Sequence, residues 1–158
     1  MKIMVTGGAG FIGSHVVDGY VNEGHEVVVV DNLIDGKISN INPEAKFYLM
    51  DIRSSLMEKI ISIEKPDIIN HHAAQISVPE SVKKPKFDAD VNVIGFLNVL
   101  ENCVKYNIKK IIFISSGGAV YGEQEQFPAP ETHPTHPLSP YGVTKLTGEK
   151  YLHFFHTT

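Results

Sequence analysis

The chain has 158 residues, of which 42% are apolar and 20% charged, and its net charge at pH 7 is −4. This length fits one domain that buries roughly 70% of its unfolded surface, and the balanced composition excludes disordered, collagen-like and membrane-spanning chains. The sequence has no basic run, which argues against a nucleic-acid or anionic-membrane partner.

Strands and helices alternate from the N-terminus onward. Residues 2–5 form a short apolar segment typical of a strand, and a glycine-rich turn at 6–10 leads into a helix predicted over 11–22. Gly24 follows at the position of a C-terminal cap. The next predicted strand, 25–30, contains four consecutive valines, and such a run indicates a parallel strand covered by helices on both faces.

The middle of the chain continues this alternation. A weaker strand is predicted at 47–50, and Ser55 with Glu58 matches a capping box that opens a helix ending before Pro66. Strands follow at 67–70 and 111–114. Between them, apolar residues at helical spacing predict one buried helical face, formed by Val93, Phe96, Leu97, Leu100 and Val104. This order predicts an α/β fold: a Rossmann-type, doubly wound parallel sheet in a three-layer αβα arrangement.

The last part of the chain combines a loop and a helix. Residues 122–138 contain four prolines and are predicted as a surface loop, after which Ser139 as N-cap and Pro140 in the first turn begin a helix. A crossover helix normally leads into another strand. We therefore expect residues 1–158 to be the N-terminal portion of a longer protein whose sheet continues.

Two features bear on the cellular compartment. The single cysteine, Cys103, cannot form an internal disulfide, which argues against a secreted, cross-linked scaffold. The apolar stretch at the N-terminus is interrupted by Gly7, Gly8 and Gly10, so it does not match a signal peptide. We expect a soluble, cytoplasmic protein.

Gly7, Gly10 and Gly13 form a G-x-x-G-x-x-G pattern that follows a predicted strand and enters a helix. Glycines here allow a tight turn and let the backbone approach a pyrophosphate at the helix N-terminus. Asp31, 18 residues beyond Gly13, follows the second strand, where a carboxylate accepts hydrogen bonds from a ribose and repels a 2′-phosphate. The pattern predicts NAD rather than NADP; the alternative is a turn aspartate with no ligand.

Tyr141 and Lys145 lie four residues apart on the last predicted helix and therefore share one face. A tyrosine is a poor base at neutral pH unless a nearby ammonium or an oxidised nicotinamide stabilises its phenolate. The pair is suited to removing a proton from a substrate hydroxyl while a hydride leaves for the cofactor. The alternative is an exposed pair without a catalytic role.

Taken together, these motifs resemble the extended short-chain dehydrogenase/reductase superfamily, specifically its NAD-dependent nucleotide-sugar epimerases. The resemblance covers residues 1–152. In chain order it rests on residues 6–15 (TGGAGFIGSH), 31–33 (DNL), 36–37 (GK), 51–53 (DIR), 71–75 (HHAAQ), 92–95 (NVIG), 115–122 (SSGGAVYG) and 139–145 (SPYGVTK).

The resemblance implies roles for individual residues. Phe11 and Ile12 line the dinucleotide, Asp51 and Ile52 contact adenine, and Lys145 holds the nicotinamide ribose. The full implied set for NAD is Gly7, Gly10, Phe11, Ile12, Gly13, Asp31, Asn32, Lys37, Asp51, Ile52, Ala73, Ala74, Gln75, Asn92, Ser115, Tyr141 and Lys145. The implied catalytic residues are Tyr141 as base, Lys145 and Ser116.

The subclass follows from residues next to Tyr121. Related 4,6-dehydratases carry an Asp-Glu pair where this chain has Gly118 and Ala119, and a decarboxylase also needs an acid there. We therefore expect C4 epimerisation of a UDP-hexose, of the glucose/galactose type, through a transient 4-keto sugar. The alternatives are a nucleotide-sugar reductase or oxidase and a non-catalytic NAD-binding sensor.

The chain departs from the family at one catalytic position. The usual Ser or Thr four residues before Tyr121 is Gly117 here, so either Ser116 turns its hydroxyl inward or a water takes its place. The resemblance also implies a homodimer through helices near residues 80–104 and 140–156. Because the family grips UDP with a C-terminal part that this sequence lacks, we expect the chain alone to be weakly active or inactive.

Three histidine groupings are candidate metal ligands: His71 with His72, His133 with His136, and His153 with His156. None has a thiolate or a further convergent acid at ligand spacing. We therefore expect no metal site.

Overall fold

The computed structural model describes residues 1–157 and divides the chain into two compact units. Unit 1 contains Met1–Ala74 and Leu97–Ile114; unit 2 contains Gln75–Phe96 and the chain from Ser115 onward. The elements of unit 1 are β1 Lys2–Thr6, α1 Phe11–Asn22, β2 Glu26–Asp31, a 3-10 turn Ile38–Asn40, β3 Lys46–Leu49, α2 Leu56–Glu64 and β4 Ile68–His71. Further along the chain are α3 Val78–Lys83, α4 Pro85–Ala89, a π-helical segment Asp90–Gly95, α5 Phe96–Lys105, β5 Lys110–Phe113, α6 Gly117–Val120 and α7 Pro140–Thr157.

The five strands of unit 1 form one parallel sheet in the order β3-β2-β1-β4-β5. β1 is central, and its Val5 pairs with Val29 of β2 on one side and with Asn70 of β4 on the other. All five predicted strands are present, with ends displaced by one residue in most cases. The prediction of an open parallel sheet is confirmed.

Alternate residues of the central strands pack on opposite faces of this sheet, as the two-residue period of a strand requires. On one face, Met4, Val28 and Val30 pack with α2 and α5 through Met57 and Val99. The opposite face packs against α1 through a second cluster, formed by Ile3, Val5, Val17, Val27 and Val29. The valine run of β2 is therefore buried on both faces, and helices on both faces of the sheet are confirmed.

Helix termini follow the predictions in two of three cases. Gly24 has φ +76° and donates to the Val21 carbonyl at 2.9 Å, which confirms the glycine cap after α1. Ser139 accepts a hydrogen bond from the Gly142 amide at 3.1 Å, which confirms it as the N-cap of α7. The capping box at Ser55 is wrong: Ser55 already has helical dihedrals, and Ser54 Oγ accepts from the Leu56 amide at 3.2 Å instead.

The predicted buried face of α5 is also partly wrong. Val104 is 60% exposed, whereas Val99 and Cys103 are buried together with Phe96 and Leu100. The sequence offers two overlapping apolar faces at helical spacing. A π-helical segment precedes α5 and contains Val93. Because its turn is longer than 3.6 residues, a helical period counted from Val93 does not predict which face of α5 is buried.

Unit 2 contains short helices that the sequence analysis did not predict. α3 begins at an N-cap, Ser77, whose hydroxyl accepts from the Glu80 amide at 3.2 Å. The serine with a glutamate three residues later is a capping-box pattern that could have revealed this helix. α3, α4 and α6 pack against α7. None of the helices in residues 1–157 is both long and apolar enough to cross a membrane.

A buried carboxylate ties together three elements of unit 1. Glu64, at the end of α2, accepts hydrogen bonds from Lys2 Nζ at 3.2 Å, from Lys46 Nζ at 2.5 Å and from the Tyr48 hydroxyl. Burial raises the pKa of Glu64, but the hydrogen bonds from Lys46, Tyr48 and Lys2 outweigh burial and lower the pKa to about 2.

Replacement of Glu64 by Gln tests this cluster. At neutral pH we expect Glu64→Gln to lower the free energy of unfolding by about 1–3 kcal/mol, because charge-assisted hydrogen bonds to a buried acceptor are lost. A carboxyl whose pKa is depressed on folding stabilises above its unfolded pKa, so the difference from wild type should shrink between about pH 4.5 and about pH 2. Urea unfolding at several pH values measures it.

The matched control is Glu58→Gln. Glu58 lies on α2, as Glu64 does, and its exposed carboxylate forms an ion pair with Lys105 of α5 that this substitution removes. This variant should change stability little at any pH. An equal effect of the two substitutions, or a Glu64→Gln effect that persists undiminished at pH 2, would contradict the role assigned to Glu64.

Candidate active site

The glycine turn that joins β1 to α1 is tightly packed against neighbouring backbone. Gly7 has φ +72°, a conformation that favours glycine, and its amide donates to the Val30 carbonyl at 2.7 Å. A Cβ on Gly7 would lie 2.5 Å from the Ala73 nitrogen, and one on Gly13 would lie 2.2 Å from the Gly7 carbonyl oxygen. The turn therefore has a shape that only glycine permits.

This turn leaves the N-terminus of α1 open. The N-cap is Gly10, and no side chain caps the helix, so the first-turn amides of Phe11, Ile12 and Gly13 keep their donor capacity. The side chains of Phe11 and Ile12 are 80% and 61% exposed. Uncapped amides at the positive end of a helix dipole, reached over glycines that leave no side chain in the way, fit the pyrophosphate of a dinucleotide.

Asp31, the last residue of β2, is buried beside the turn. Its Oδ2 accepts from the Ala9 amide at 3.0 Å and its Oδ1 accepts from the Leu33 amide at 2.8 Å. Gly36 approaches so closely that a Cβ there would lie 2.8 Å from Asp31 Oδ1. Asp31 therefore stabilises the turn through both carboxylate oxygens. Each oxygen retains a second acceptor position for a ribose hydroxyl, so the role in the turn leaves room for a ligand.

Residues that follow β2 and β3 form a second polar group of unit 1. Asn32 Nδ2 donates to Asp51 Oδ2 at 2.9 Å, and Arg53 makes a two-point contact with the same carboxylate at 2.8 and 2.9 Å. Arg53 holds the pKa of Asp51 well below its usual range, so Asp51 is ionised. The Ile52 side chain belongs to the core, and its carbonyl oxygen accepts a hydrogen bond from Asn98 Nδ2 at 2.7 Å. Lys37 is exposed, and its amide donates to the Ala9 carbonyl at 3.0 Å.

The predicted cofactor residues of unit 1 thus come together where strands end. Thr6 ends β1, Asp31 ends β2, and Ala73 and Ala74 follow β4, whose His71 Nδ1 hydrogen-bonds to Thr6 Oγ1 at 2.8 Å. β1 lies between β2 and β4, where the strand order reverses. Ligands of open parallel sheets bind at the carboxyl ends of the strands at such a point.

The predicted catalytic residues lie in unit 2. Tyr141 and Lys145 occupy the first turns of α7, with Lys145 Nζ 5.8 Å from the centre of the Tyr141 ring. Ser116, and not Gly117, offers a hydroxyl beside the tyrosine, and its side chain lowers the pKa of Tyr141. The alternative prediction that Tyr141 and Lys145 form an exposed pair is wrong for Lys145, because that residue is only 5% exposed.

Burial shifts the pKa values of this pair in opposite directions. Burial raises the pKa of Tyr141, and the Ser116 hydrogen bond only partly opposes it. Burial lowers the pKa of Lys145 to about 8, while the negative charge of Asp88 acts in the opposite direction. A lysine one turn away favours a lower tyrosine pKa, but in this structure the loss of solvent around the phenol dominates and the pKa is raised.

The remaining predicted residues of unit 2 take part in polar contacts there. The Ser115 hydroxyl donates to Glu149 of α7, and Gln75 and Asn92 belong to a buried network around Asp88 and Thr144. Sequence reasoning missed Asp88 and Thr144. The only signals were a carboxylate four residues before Asn92 and a hydroxyl next to Lys145. Within residues 1–157, no cluster of three or more His, Cys, Asp or Glu side chains could hold a metal ion.

A central strand that leads through a glycine turn into an uncapped helix, with an aspartate ending the next strand, defines a Rossmann-type dinucleotide-binding protein. The profile of the NAD dependent epimerase/dehydratase family matches residues 3–158. The chain belongs to this family, which confirms the resemblance noted in the sequence.

Its similarity to characterised epimerases is high. The crystal structure of UDP-glucose 4-epimerase from Thermotoga maritima with UDP-glucose matches with 52% identity and a TM-score of 0.96, over 98% of this chain and 51% of that one. The Thermus thermophilus UDP-glucose 4-epimerase complex with NAD matches with 43% identity and a TM-score of 0.96, over 99% and 51%. UDP-glucose 4-epimerase of Lactobacillus helveticus is 44% identical over 153 residues, 96% of this chain and 46% of its own. The chain spans about half the length of these relatives.

Two glycines of α1 test the geometry of the turn. We expect Gly13→Ala to destabilise the chain by about 1–3 kcal/mol, because the new methyl group collides with the Gly7 carbonyl. Gly19→Ala in the same helix has open space around its Cβ and should stabilise by about 0.5–1 kcal/mol through helix propensity. Thermal unfolding measures both. A neutral Gly13→Ala would mean that the turn is looser than described.

Proposed function

We propose that this chain provides the NAD-binding and acid–base parts of a UDP-hexose 4-epimerase that interconverts UDP-glucose and UDP-galactose. The observation that carries this proposal is the pairing of Tyr141 with the buried Lys145 one helical turn later, whose Nζ lies 5.8 Å from the centre of the Tyr141 ring. Relatives with 43% and 52% identity that were solved with NAD and with UDP-glucose support the cofactor and the substrate class.

The residues that would hold NAD are those gathered at the carboxyl ends of the strands in unit 1. The first-turn amides of α1 bind the pyrophosphate, Asp31 accepts hydrogen bonds from the adenosine ribose, and the segment around Asp51 contacts adenine. When bound, NAD would supply the hydride acceptor for oxidation at sugar C4 and the hydride donor for reduction of the resulting 4-keto sugar from its opposite face. Net redox change is zero, so the cofactor is not consumed.

Tyr141 moves the proton in this proposal. Its phenolate accepts the proton of the sugar 4-hydroxyl, and the phenol returns that proton to the 4-keto oxygen when the configuration has been inverted. Ser116 donates a hydrogen bond that stabilises the phenolate, and the Lys145 ammonium supplies positive charge one helical turn away. The raised pKa of Tyr141 makes this positive charge necessary, because a buried phenol otherwise keeps its proton.

Two further parts of the proposal are the binding of UDP and the oligomeric state. Because the matched region is about half of each relative, we propose that UDP is held by a part these relatives have in addition, and that the chain alone turns over substrate weakly or not at all. We also propose a homodimer. Exposed apolar side chains on α3, the π-helical segment and α7 support it: Val82, Ile94, Val143 and Phe154.

Tyr141→Phe tests the assignment of the base. The variant keeps the ring and loses the hydroxyl, so we expect turnover to fall at least 100-fold while NAD still binds, since general acid–base catalysis typically contributes 10²–10⁴-fold. The assay follows conversion of UDP-galactose to UDP-glucose in a chimera that joins residues 1–158 to the C-terminal half of the Thermotoga maritima relative.

Tyr151→Phe, which removes a hydroxyl further along the same helix, is the control and should keep its activity. Near-normal turnover by Tyr141→Phe would remove Tyr141 from its proposed role. Steady accumulation of NADH with a UDP-sugar would favour the reductase or oxidase alternative, and a chimera that binds NAD but acts on no nucleotide sugar would favour the sensor.

Asp31→Asn tests the cofactor preference. We expect the 158-residue chain to bind NAD more tightly than NADP, because the Asp31 carboxylate repels a 2′-phosphate. Loss of the charge should weaken NAD binding by roughly tenfold and narrow the difference between the two cofactors. Calorimetric titration with each dinucleotide, after native mass spectrometry of the purified chain for retained NAD, measures both effects.

The matched control is Asp35→Asn, which removes an exposed carboxylate four residues further along and should leave both affinities unchanged. Equal affinities of the wild-type chain for NAD and NADP would show that Asp31 serves only the turn.

A further inference from the structure

Asp88 of α4 is a fully buried carboxylate with three hydrogen-bond donors. Its Oδ1 accepts from Gln75 Nε2 at 2.8 Å and from Asn92 Nδ2 at 3.1 Å, and its Oδ2 accepts from Thr144 Oγ1 at 2.8 Å. Burial of a carboxylate is costly unless its lone pairs are satisfied. The three donors meet this cost, and the carboxylate fixes their orientation in return.

Asn92 is held on both sides of its amide group. Its Oδ1 accepts a hydrogen bond from the backbone amide of Gln75 at 2.8 Å. Its Nδ2 donates to the backbone carbonyl of Gln75 at 3.0 Å and to Asp88. Asn92 Nδ2 also lies 3.3 Å from Thr144 Oγ1. Its side chain therefore has one orientation, which the charge of Asp88 enforces by drawing the amino group toward itself.

Thr144 connects this network to the catalytic helix. The residue lies between Tyr141 and Lys145, and its hydroxyl donates to Asp88 while also lying 3.0 Å from the Tyr141 carbonyl oxygen. The Tyr141 amide is held separately, because it donates to Ser81 Oγ at 3.2 Å. The first turn of α7 is thus anchored by a carboxylate from α4 and a hydroxyl from α3.

The charge of Asp88 acts on the catalytic pair as well. It opposes the loss of the Lys145 proton that burial favours, and it raises the pKa of Tyr141 further. The other charged residues on α7 and on the elements packed against it lie nearer to solvent. They include Glu149, four residues after Lys145 and hydrogen-bonded by Ser115; Glu80, which pairs with Lys84 at 2.7 Å; and Lys83, Lys86 and Asp90. Among the described charged side chains of α3, α4 and the π-helical segment, only Asp88 is fully buried.

We propose that Asp88 is a positioning residue for the proposed reaction, whose buried carboxylate fixes Asn92 and Thr144 at the first turn of α7 and serves as the counter-charge of the Lys145 ammonium. The proposal rests on the proposed function only for the role of Lys145. If Asp88 only held its hydrogen-bond donors in place, its charge would not affect the pKa of Lys145. If Asp88 is also the counter-charge, removal of the charge lowers that pKa, so the ionisation of Lys145 distinguishes the two roles.

The experiment measures that ionisation directly in the 158-residue chain. In protein with 13C-labelled lysine, the Cε resonance of Lys145, identified by its absence in Lys145→Met, is followed against pH. We expect a wild-type midpoint near 8. In Asp88→Asn the midpoint should fall by about one pH unit or more, a tenfold increase in acidity, because an opposite charge nearby shifts a pKa by about 1–3 units.

Two further variants separate charge from contact and from net charge. Glu131→Gln removes an exposed carboxylate from unit 2 and should leave the Lys145 midpoint unchanged. Thr144→Val removes one hydrogen bond to Asp88 but keeps the charge, so its midpoint should stay close to wild type. An unchanged midpoint in Asp88→Asn, or an equally large shift in Thr144→Val, overturns the proposal.

A measurement on the wild-type chain covers the case in which Asp88→Asn does not fold. The carboxyl 13C resonance of Asp88 should show an inflection at the midpoint of the Lys145 titration, because the two charges interact. A flat Asp88 resonance across that pH range overturns the proposal. Neither readout uses turnover, so failure here is distinct from failure of the Tyr141→Phe test of the proposed function.

Discussion

The close approach of the glycine turn to its own neighbours is the constraint on which unit 1 depends. Gly7 lies against the backbone at Ala73, and Gly13 lies against the Gly7 carbonyl, so α1 begins directly above the end of β1. That closeness leaves no side chain over the first-turn amides, and Asp31 secures the turn by binding the Ala9 amide. A steric condition on Gly7 and Gly13 thus produces a helix terminus with open donors, which is what an anionic ligand requires.

The sheet could be predicted from the sequence because its signals are local. Four consecutive valines in β2 and the Ile-rich strands β4 and β5 determine strand type without reference to the rest of the chain. The errors lie where two local solutions compete. Ser54 and Ser55 can both serve the start of α2, and two apolar faces overlap in α5; dihedral angles and the preceding π-helical segment decide between them. Neither is visible in residue spacing.

The candidate site divides in the same way. Tyr141 and Lys145 could be found because their spacing on a helix and the preceding Ser139-Pro140 start are local features. Asp88 could not, because its partner Thr144 is 56 residues away in the chain and a lone aspartate in a sequence resembles a solvated surface residue. The direction of the Tyr141 pKa shift escaped prediction for a related reason. Spacing indicates which charge is near, whereas the extent of burial depends on every element packed around the phenol.

The electrostatics of unit 2 make acid–base chemistry conditional in the proposed mechanism. Burial leaves Tyr141 with a raised pKa, and Asp88 adds to this effect, so the chain by itself favours the neutral phenol. Lys145 carries the compensating positive charge, yet burial has lowered its own pKa to about 8, so little reserve remains at neutral pH. The proposed proton transfer from a sugar hydroxyl to Tyr141 therefore depends on Lys145 keeping its own proton, and the charge of Asp88 favours the protonated lysine.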